Sequence, residues 1–227
     1  MRYVAFIPLR GGSKSIPLKN IKPIGGKPLA WWTVEAALGC AAIEQVFVAT
    51  DSDAIRECLA PLTTARLSVI GRSAETATDT ASTESAMLEF AAAHPAEHIV
   101  LIQATSPLLT SDDLNRGIAL FEQLEADSLV SVVPQKRFIW ARDAEGFGQP
   151  QNYNPVKRPR RQDFSGYHVE NGAFYISGRE GLIRTGSRLF GRIAAHEMCE
   201  ESYYELDEPS DWAVIENLMV RAAGLPA

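Results

Sequence analysis

Cysteine is scarce in this chain. Its 227 residues hold three, Cys40, Cys58 and Cys199. Their spacing fits neither a disulfide framework nor a metal or redox motif, so a reduced, cytoplasmic setting is expected. Long apolar runs are lacking too, and none is of membrane-spanning length. The N-terminal run from Tyr3 to Ile7 meets Pro8 and Arg10 too soon to read as a signal peptide. Positive charge is not in excess: 22 Lys and Arg stand against 28 Asp and Glu, a formal net charge of −6. That argues against non-specific nucleic-acid binding, which needs cations facing phosphates. A small anionic ligand stays open, because local charge decides it. Neither GxxxxGK[ST] nor GxGxxG occurs, which weakens ATPase and dinucleotide assignments.

What is present is an ordinary globular balance, 46% hydrophobic and 22% charged. The pattern predicts strands over Tyr3–Ile7, Gln45–Thr50, Leu67–Ile70, His98–Gln103 and Ser128–Val133. Helical spacing falls between them, over Leu29–Leu38, Asp53–Leu59, Thr83–Ala93 and Ser111–Leu124. This alternation predicts an α/β fold, a single domain with a mostly parallel, doubly wound sheet. The pattern then breaks. About 134–170 is rich in Pro, Arg, Asn and Gln. A structureless loop of that length is unusual inside a domain, so it reads as an inserted arm that covers a site or grips a second subunit. Gly172–Ile176 and Arg192–Met198 read as returning strands, and Asp211–Val220 as a last helix.

Four places carry chemistry. After the first strand comes PLRGGSKSIPLKN, residues 8–20. Gly11 and Gly12 let backbone N–H groups approach a phosphate, and Arg10, Lys14 and Lys19 supply charge; a polar turn with solvated lysines is the plain alternative. Residues 72–85 form a hydroxyl-rich loop into a helix, where Ser82 or Thr83 could simply cap. Gln103 ends a strongly apolar strand, and a polar group there needs a partner. Near the end, Glu205 and Asp207 would share a face if the segment is a strand. Two such carboxylates suit a hard cation that also meets substrate phosphate. The plain alternative is a solvated acidic loop with Asp211 as a helix cap.

Together these stretches resemble the CMP-sugar synthetases. Arg10, Gly12, Ser13, Lys14, Lys19 and Asn20 match an R-x-G-S-K-x-x-x-x-K-N signature. Arg72, Asp79, Ala81 and Ser82 match a second, LIQATSPL (residues 101–108) a third, and NGAFYI (residues 171–176) a fourth. The resemblance implies a nucleotide-diphospho-sugar transferase-like fold with a dimerisation arm. It implies transfer of CMP from CTP to a nonulosonic, sialic-type sugar acid, or to the related eight-carbon acid. A non-catalytic nucleotide-sugar binder is the alternative of another class. Arg10, Gly11, Gly12, Ser13 and Asn20 would hold the CTP phosphates, with Arg10, Lys14, Lys19 and Asp207 catalytic. Arg72, Ser82 and Thr83 would meet cytosine and ribose. Asp207 and Glu205 would hold Mg²⁺ or Mn²⁺. Gln103 would contact the nucleotide or the sugar, and Arg160, Arg161, Gln162 and Asn171 would serve the sugar, whose carboxylate suits a bidentate Arg. Members often carry Arg where this chain has Leu109 and Val169, and Asp where it has Glu205. Carboxylate recognition is therefore expected at Arg160 or Arg161. His168 is the nearest imidazole, and a structural role suits it. A homodimer is implied; no nucleic acid or membrane partner is expected.

Overall fold

The computed structural model describes residues 1–12, 15–78 and 80–222. Ser13, Lys14 and Asp79 lie outside the described residues. The strands are β1 (Tyr3–Leu9), β2 (Pro23–Ile24), β3 (Lys27–Pro28), β4 (Gln45–Thr50), β5 (Leu67–Gly71), β6 (His98–Ile102), β7 (Ser128–Gln135), β8 (Trp140–Arg142), β9 (Gly148–Pro150), β10 (Tyr167–Gly178) and β11 (Ile193–Glu197). The α-helices are α1 (Leu29–Gly39), α2 (Asp53–Leu59), α3 (Thr83–Ala93), α4 (Ser111–Gln123), α5 (Arg179–Thr185) and α6 (Pro209–Ala222).

Seven strands form the central sheet in the order β11-β7-β10-β6-β1-β4-β5. All neighbours are parallel except β10, which runs antiparallel between β6 and β7. Side-chain alternation divides β1 between two cores. Tyr3, Ala5, Ile7 and Leu9 pack with α1, α2 and α4 on one face. Val4 and Phe6 pack with α3 and α5 on the other, where Phe6 stacks on Phe90 at 4.6 Å between ring centres. Both faces are covered, which explains why the strands read as continuous apolar runs. A third, smaller cluster joins Ile16, Ile24, Leu29, Leu206, Ile215 and Met219. It fastens the loop after β1 and the β2–β3 finger to the acidic segment and α6.

The doubly wound, mostly parallel sheet is as expected, and most boundaries fall within two residues of the sequence pattern. Four differences matter. β10 starts at Tyr167, and its first part pairs with β7 before a register shift between Glu170 and Tyr175. Half-exposed residues there hid it from an apolar-run criterion. The arm is therefore residues 136–166, shorter than 134–170, with β8 and β9 as an antiparallel hairpin. α5 was not foreseen: Gly181 in its first turns lowers helix propensity, yet any Cβ there would collide with the Phe190 ring. The segment around Glu205 and Asp207 is no strand. A 3-10 turn at Glu200–Tyr203 leads into irregular backbone, and α6 begins at Pro209.

Candidate active site

The chain runs from β1 to β4 and β5 on one side, then returns through β6 on the other side of β1. Such a reversal opens a crevice beyond the carboxyl ends of the strands. A cleft of about 460 Å³ lies there. Arg10 and Lys19 reach it from the loop after β1, Arg72 from the end of β5, Thr83 from the start of α3, Gln103 from the end of β6, and Asp207 from the segment before α6. Gly12, Ser15, Asn20, Thr105 and Glu208 complete much of the wall.

The loop after β1 is tied from several sides. Asn20 Nδ2 donates to the Arg10 carbonyl at 3.0 Å. Gly11 N–H donates to Asp51 Oδ1 at 2.8 Å, and a Cβ on Gly11 would lie 2.9 Å from Ser52 Cβ. Gly11 thus serves the close approach of the loop after β4, while a Cβ on Gly12 would meet open space. Lys19 Nζ donates to the Leu206 carbonyl at 2.8 Å and to Asp207 Oδ1 at 3.3 Å, and Ser15 Oγ donates to the Asp207 carbonyl at 2.6 Å. The basic loop and the acidic segment are laced together.

On the acidic side, Asp211 Oδ2 accepts from the N–H groups of Asp207 (3.0 Å) and Glu208 (2.7 Å), which holds the turn into α6. The capping role foreseen for Asp211 and an exposed, cleft-lining Asp207 coexist. Glu205 is half-buried, and its carboxylate sits against Gly172, where a Cβ would overlap it. Burial, then the charges of Asp207 and Glu170, push the Glu205 carboxyl up to about 7, with Lys19 opposing. Among the described residues no group of three or more His, Cys, Asp and Glu could hold a metal unaided. Two carboxylates that repel one another beside a phosphate-sized cleft nonetheless fit a cation completed by substrate oxygens and water.

The wall between β5 and α3 is also preformed. Arg72 donates from its guanidinium to the Thr76 carbonyl, and its Nε is buried without a partner among the described residues. Burial lowers its pKa, against the charges of Asp51 and Glu89. Ser82 caps α3, its Oγ accepting from Ser85 N–H at 3.1 Å, and Thr83 follows it into the cleft wall. Gln103 Nε2 donates to the Gly172 carbonyl at 2.6 Å.

Apart from Gln103, which lines the cleft, the expected sugar residues are not gathered with these. Asn171 is fully buried, and its Nδ2 donates to Ser202 Oγ (3.0 Å) and the Ser202 carbonyl (3.2 Å). In this chain it fastens the 3-10 turn to β10. Arg160 and Arg161 line a separate cavity of about 350 Å³ with Lys136, Arg137, Phe138 and Arg158. Arg160 pairs with Asp163 at 2.6 Å, and Gln162 is exposed. His168 Nε2 and Glu197 Oε2 lie 2.8 Å apart at the surface. Sequence reasoning passed over Asp51 and Glu89, whose partners lie 40 and 13–16 residues away. The Thr-Asp-Ser turn after β4 was the one available signal for Asp51.

Comparison with known proteins agrees with the fold. A family model described as cytidylyltransferase matches residues 4–219. N-acylneuraminate cytidylyltransferase A of Danio rerio is 38% identical over 221 residues, 96% of this chain and 50% of that protein. N-acylneuraminate cytidylyltransferase of Streptococcus agalactiae serotype V is 30% identical over 219 residues, 93% of this chain and 52% of that one. The chain spans about half the length of the curated relatives it matches. Among solved structures, CMP:2-keto-3-deoxy-manno-octonic acid synthetase complexed with CTP superposes with a TM-score of 0.71 at 18% identity, covering 98% of this chain and 100% of that one. The 4-diphosphocytidyl-2C-methyl-D-erythritol synthase of Anaerococcus prevotii gives 0.72 at 11% identity, covering 96% of each. These two share the fold. With its cleft at the sheet reversal and a family match over nearly its whole length, this chain belongs to the cytidylyltransferase family.

Proposed function

We propose that the chain transfers CMP from CTP to the anomeric hydroxyl of a nonulosonic, sialic-type sugar acid and releases pyrophosphate. One observation carries this: Arg10, Lys19 and Arg72 line one cleft together with the carboxylates of Asp207 and Glu208. A triphosphate would meet cations there, and the acidic side chains would supply oxygen ligands to a divalent cation. Relatives named N-acylneuraminate cytidylyltransferase favour the sialic-type acceptor.

The hydroxyl oxygen attacks the α-phosphorus, its proton leaves, and the α–β phosphoanhydride bond breaks in line. No covalent enzyme intermediate is needed, so positioning and charge stabilisation dominate. Arg10 and Lys19, with Lys14, neutralise charge that grows on the departing pyrophosphate. Asp207 and Glu205 would hold Mg²⁺, or Mn²⁺, which offsets phosphate charge when bound. Arg72 and Thr83 orient the nucleoside, and Gln103 stands between nucleotide and acceptor. The cations of the arm serve the acceptor carboxylate in a homodimer, where the arm of one copy reaches the cleft of the next. A reducing cytoplasm fits the three unpaired cysteines.

The test is pyrophosphate release with CTP and Mg²⁺ against N-acetylneuraminate, its deaminated form, a di-amino nonulosonate and the eight-carbon acid. Turnover with one nonulosonate, lost in Asp207→Ala, is the expected result. Turnover with the eight-carbon acid alone moves the chain to that branch. CTP binding without turnover on any acid leaves a nucleotide-binding module.

A further inference from the structure

Arg72 is a partly enclosed cation of the cleft, and something must hold it in place. Its guanidinium donates to the Thr76 carbonyl, yet its Nε is buried with no partner among the described residues. A buried donor left open is unfavourable, so the surroundings must fix this geometry against relaxation. The carboxylate of Glu89, on the second turn of α3, supplies the means. Glu89 Oε1 accepts from Ser73 N–H at 3.0 Å. Glu89 Oε2 accepts from Ser73 Oγ at 2.9 Å and from the Thr76 hydroxyl. Thr76 is 8% exposed, and its N–H in turn donates to Ser73 Oγ at 3.3 Å. One carboxylate therefore gathers three donors on both sides of the turn whose carbonyl receives Arg72. Its charge also faces Arg72, as does that of Asp51.

We propose that Glu89 is a positioning residue for nucleotide binding: by anchoring Ser73 and Thr76 to α3, it sets the Arg72 guanidinium in the cleft wall. The same helix starts with Ser82 and Thr83. Glu89 thus ties the loop after β5 and the first turn of α3 to one rigid element, so the distance from Arg72 to Thr83 is fixed before any ligand arrives. Preorganised donors of this kind cost no reorganisation when the ligand binds. Glu89 itself is absent from the cleft wall; it acts through Arg72.

Glu89→Gln tests the idea because it keeps size and removes charge. With its oxygen turned to the Ser73 N–H, the amide meets both hydroxyls with its NH₂ group, so both must rotate to accept. The neutral amide oxygen also holds the Ser73 N–H more weakly than a carboxylate does. The inference rests on the proposed nucleotide site, so two readouts are needed, on the full chain. The first needs no ligand: amide hydrogen exchange at Ser73 and Ala77 is expected to speed at least tenfold in Glu89→Gln, with the melting temperature of the main cores little changed. The second is CTP affinity by calorimetry with Mg²⁺ present. Glu89→Gln is expected to weaken CTP about tenfold, and Glu89→Asp less, because the shorter side chain still reaches part of the donor set. In an Arg72→Lys background, where the guanidinium is gone, Glu89→Gln is expected to weaken CTP by less than twofold. Unchanged exchange at Ser73 overturns the inference. So does an equal loss of CTP affinity with and without the Arg72 guanidinium, because that makes Glu89 a purely structural prop. If the unaltered chain binds no CTP, the proposed function fails, and the exchange result alone decides for or against the anchor.

Discussion

Lys19 and Arg160 are both cations expected to face a substrate, and the fold treats them differently. The Lys19 side chain is 13% exposed and is held by the Leu206 carbonyl and Asp207. The Arg160 side chain is 74% exposed and pairs with Asp163 three positions away, an exposed contact worth at most a few tenths of a kcal/mol. The contrast extends to their surroundings. The cleft rests on three hydrophobic clusters, while the arm carries Trp140, Phe147 and Val156 at 52%, 69% and 89% exposure. The cleft is completed by this chain's own core, while the arm leaves its aromatic and basic side chains exposed.

The largest effect that could break this comparison lies at the acidic rim. Asp207→Ala should lower turnover by about a hundredfold or more, the scale seen when a group stabilising transition-state charge is removed. Lys19→Ala should follow closely, because it also frees the Asp207 segment from the loop after β1. Pyrophosphate release measures both. Activity retained in Asp207→Ala would move the catalytic centre away from the cleft.

Stability should divide the two regions next. Gly172 has φ +65, and a Cβ there would overlap the Glu205 carboxylate. Gly172→Ala combines a left-handed backbone with a collision, so a loss of about 2–4 kcal/mol is expected, read from urea unfolding. Val156→Ser in the arm should stay within about 0.5 kcal/mol. Equal losses at the two positions would show that the arm packs as tightly as the cleft.

How far the sequence reached follows the same division. Periodicity found β1, β4, β6 and α1 to α4 because two-sided burial writes apolar runs and helical stripes directly into the chain. Cleft residues that follow strand ends, Arg10, Arg72 and Gln103, were legible since the ends of parallel strands are where ligands sit. Asn171 was misplaced because its motif lies in a strand whose side chain points, in the fold, to Ser202 rather than the cleft. Glu205 and Asp207 were set on a strand that is irregular backbone, held instead by Leu206 in the third core and by its N–H to the Thr105 carbonyl at 2.9 Å. Asp51 and Glu89 answer to partners distant in sequence; the turn after β4 is the one local signal for Asp51, and no local pattern announces Glu89.

A smaller effect tests the arm as a substrate element. Replacing Arg160 and Arg161 together by Ala should raise KM for the sugar acid about tenfold, the value of one charge-assisted contact. KM for CTP should not move. Phe147→Asp should shift the chain toward monomer in sedimentation and bring the same loss. A change in KM for CTP instead would mean that the arm serves the nucleotide, and the division between the two halves would fall.

The smallest expected effect is a change of slope. In the folded chain Glu205 keeps its proton up to about pH 7, whereas an unfolded chain releases it near 4.5. Between those values the folded state binds more protons, so stability falls as pH rises through that window. Solvent reaching the half-buried carboxylate and the flexibility of its neighbours reduce the size of the effect, though not its sign. Glu205→Gln does not titrate, so its stability relative to the unaltered chain should grow from about pH 4.5 to about pH 7 and then level off. Thermal melts at matched ionic strength follow this directly. If Glu205→Gln runs parallel to the unaltered chain across that window, Glu205 does not carry this proton, and the crowding of charge at the rim does not act through it.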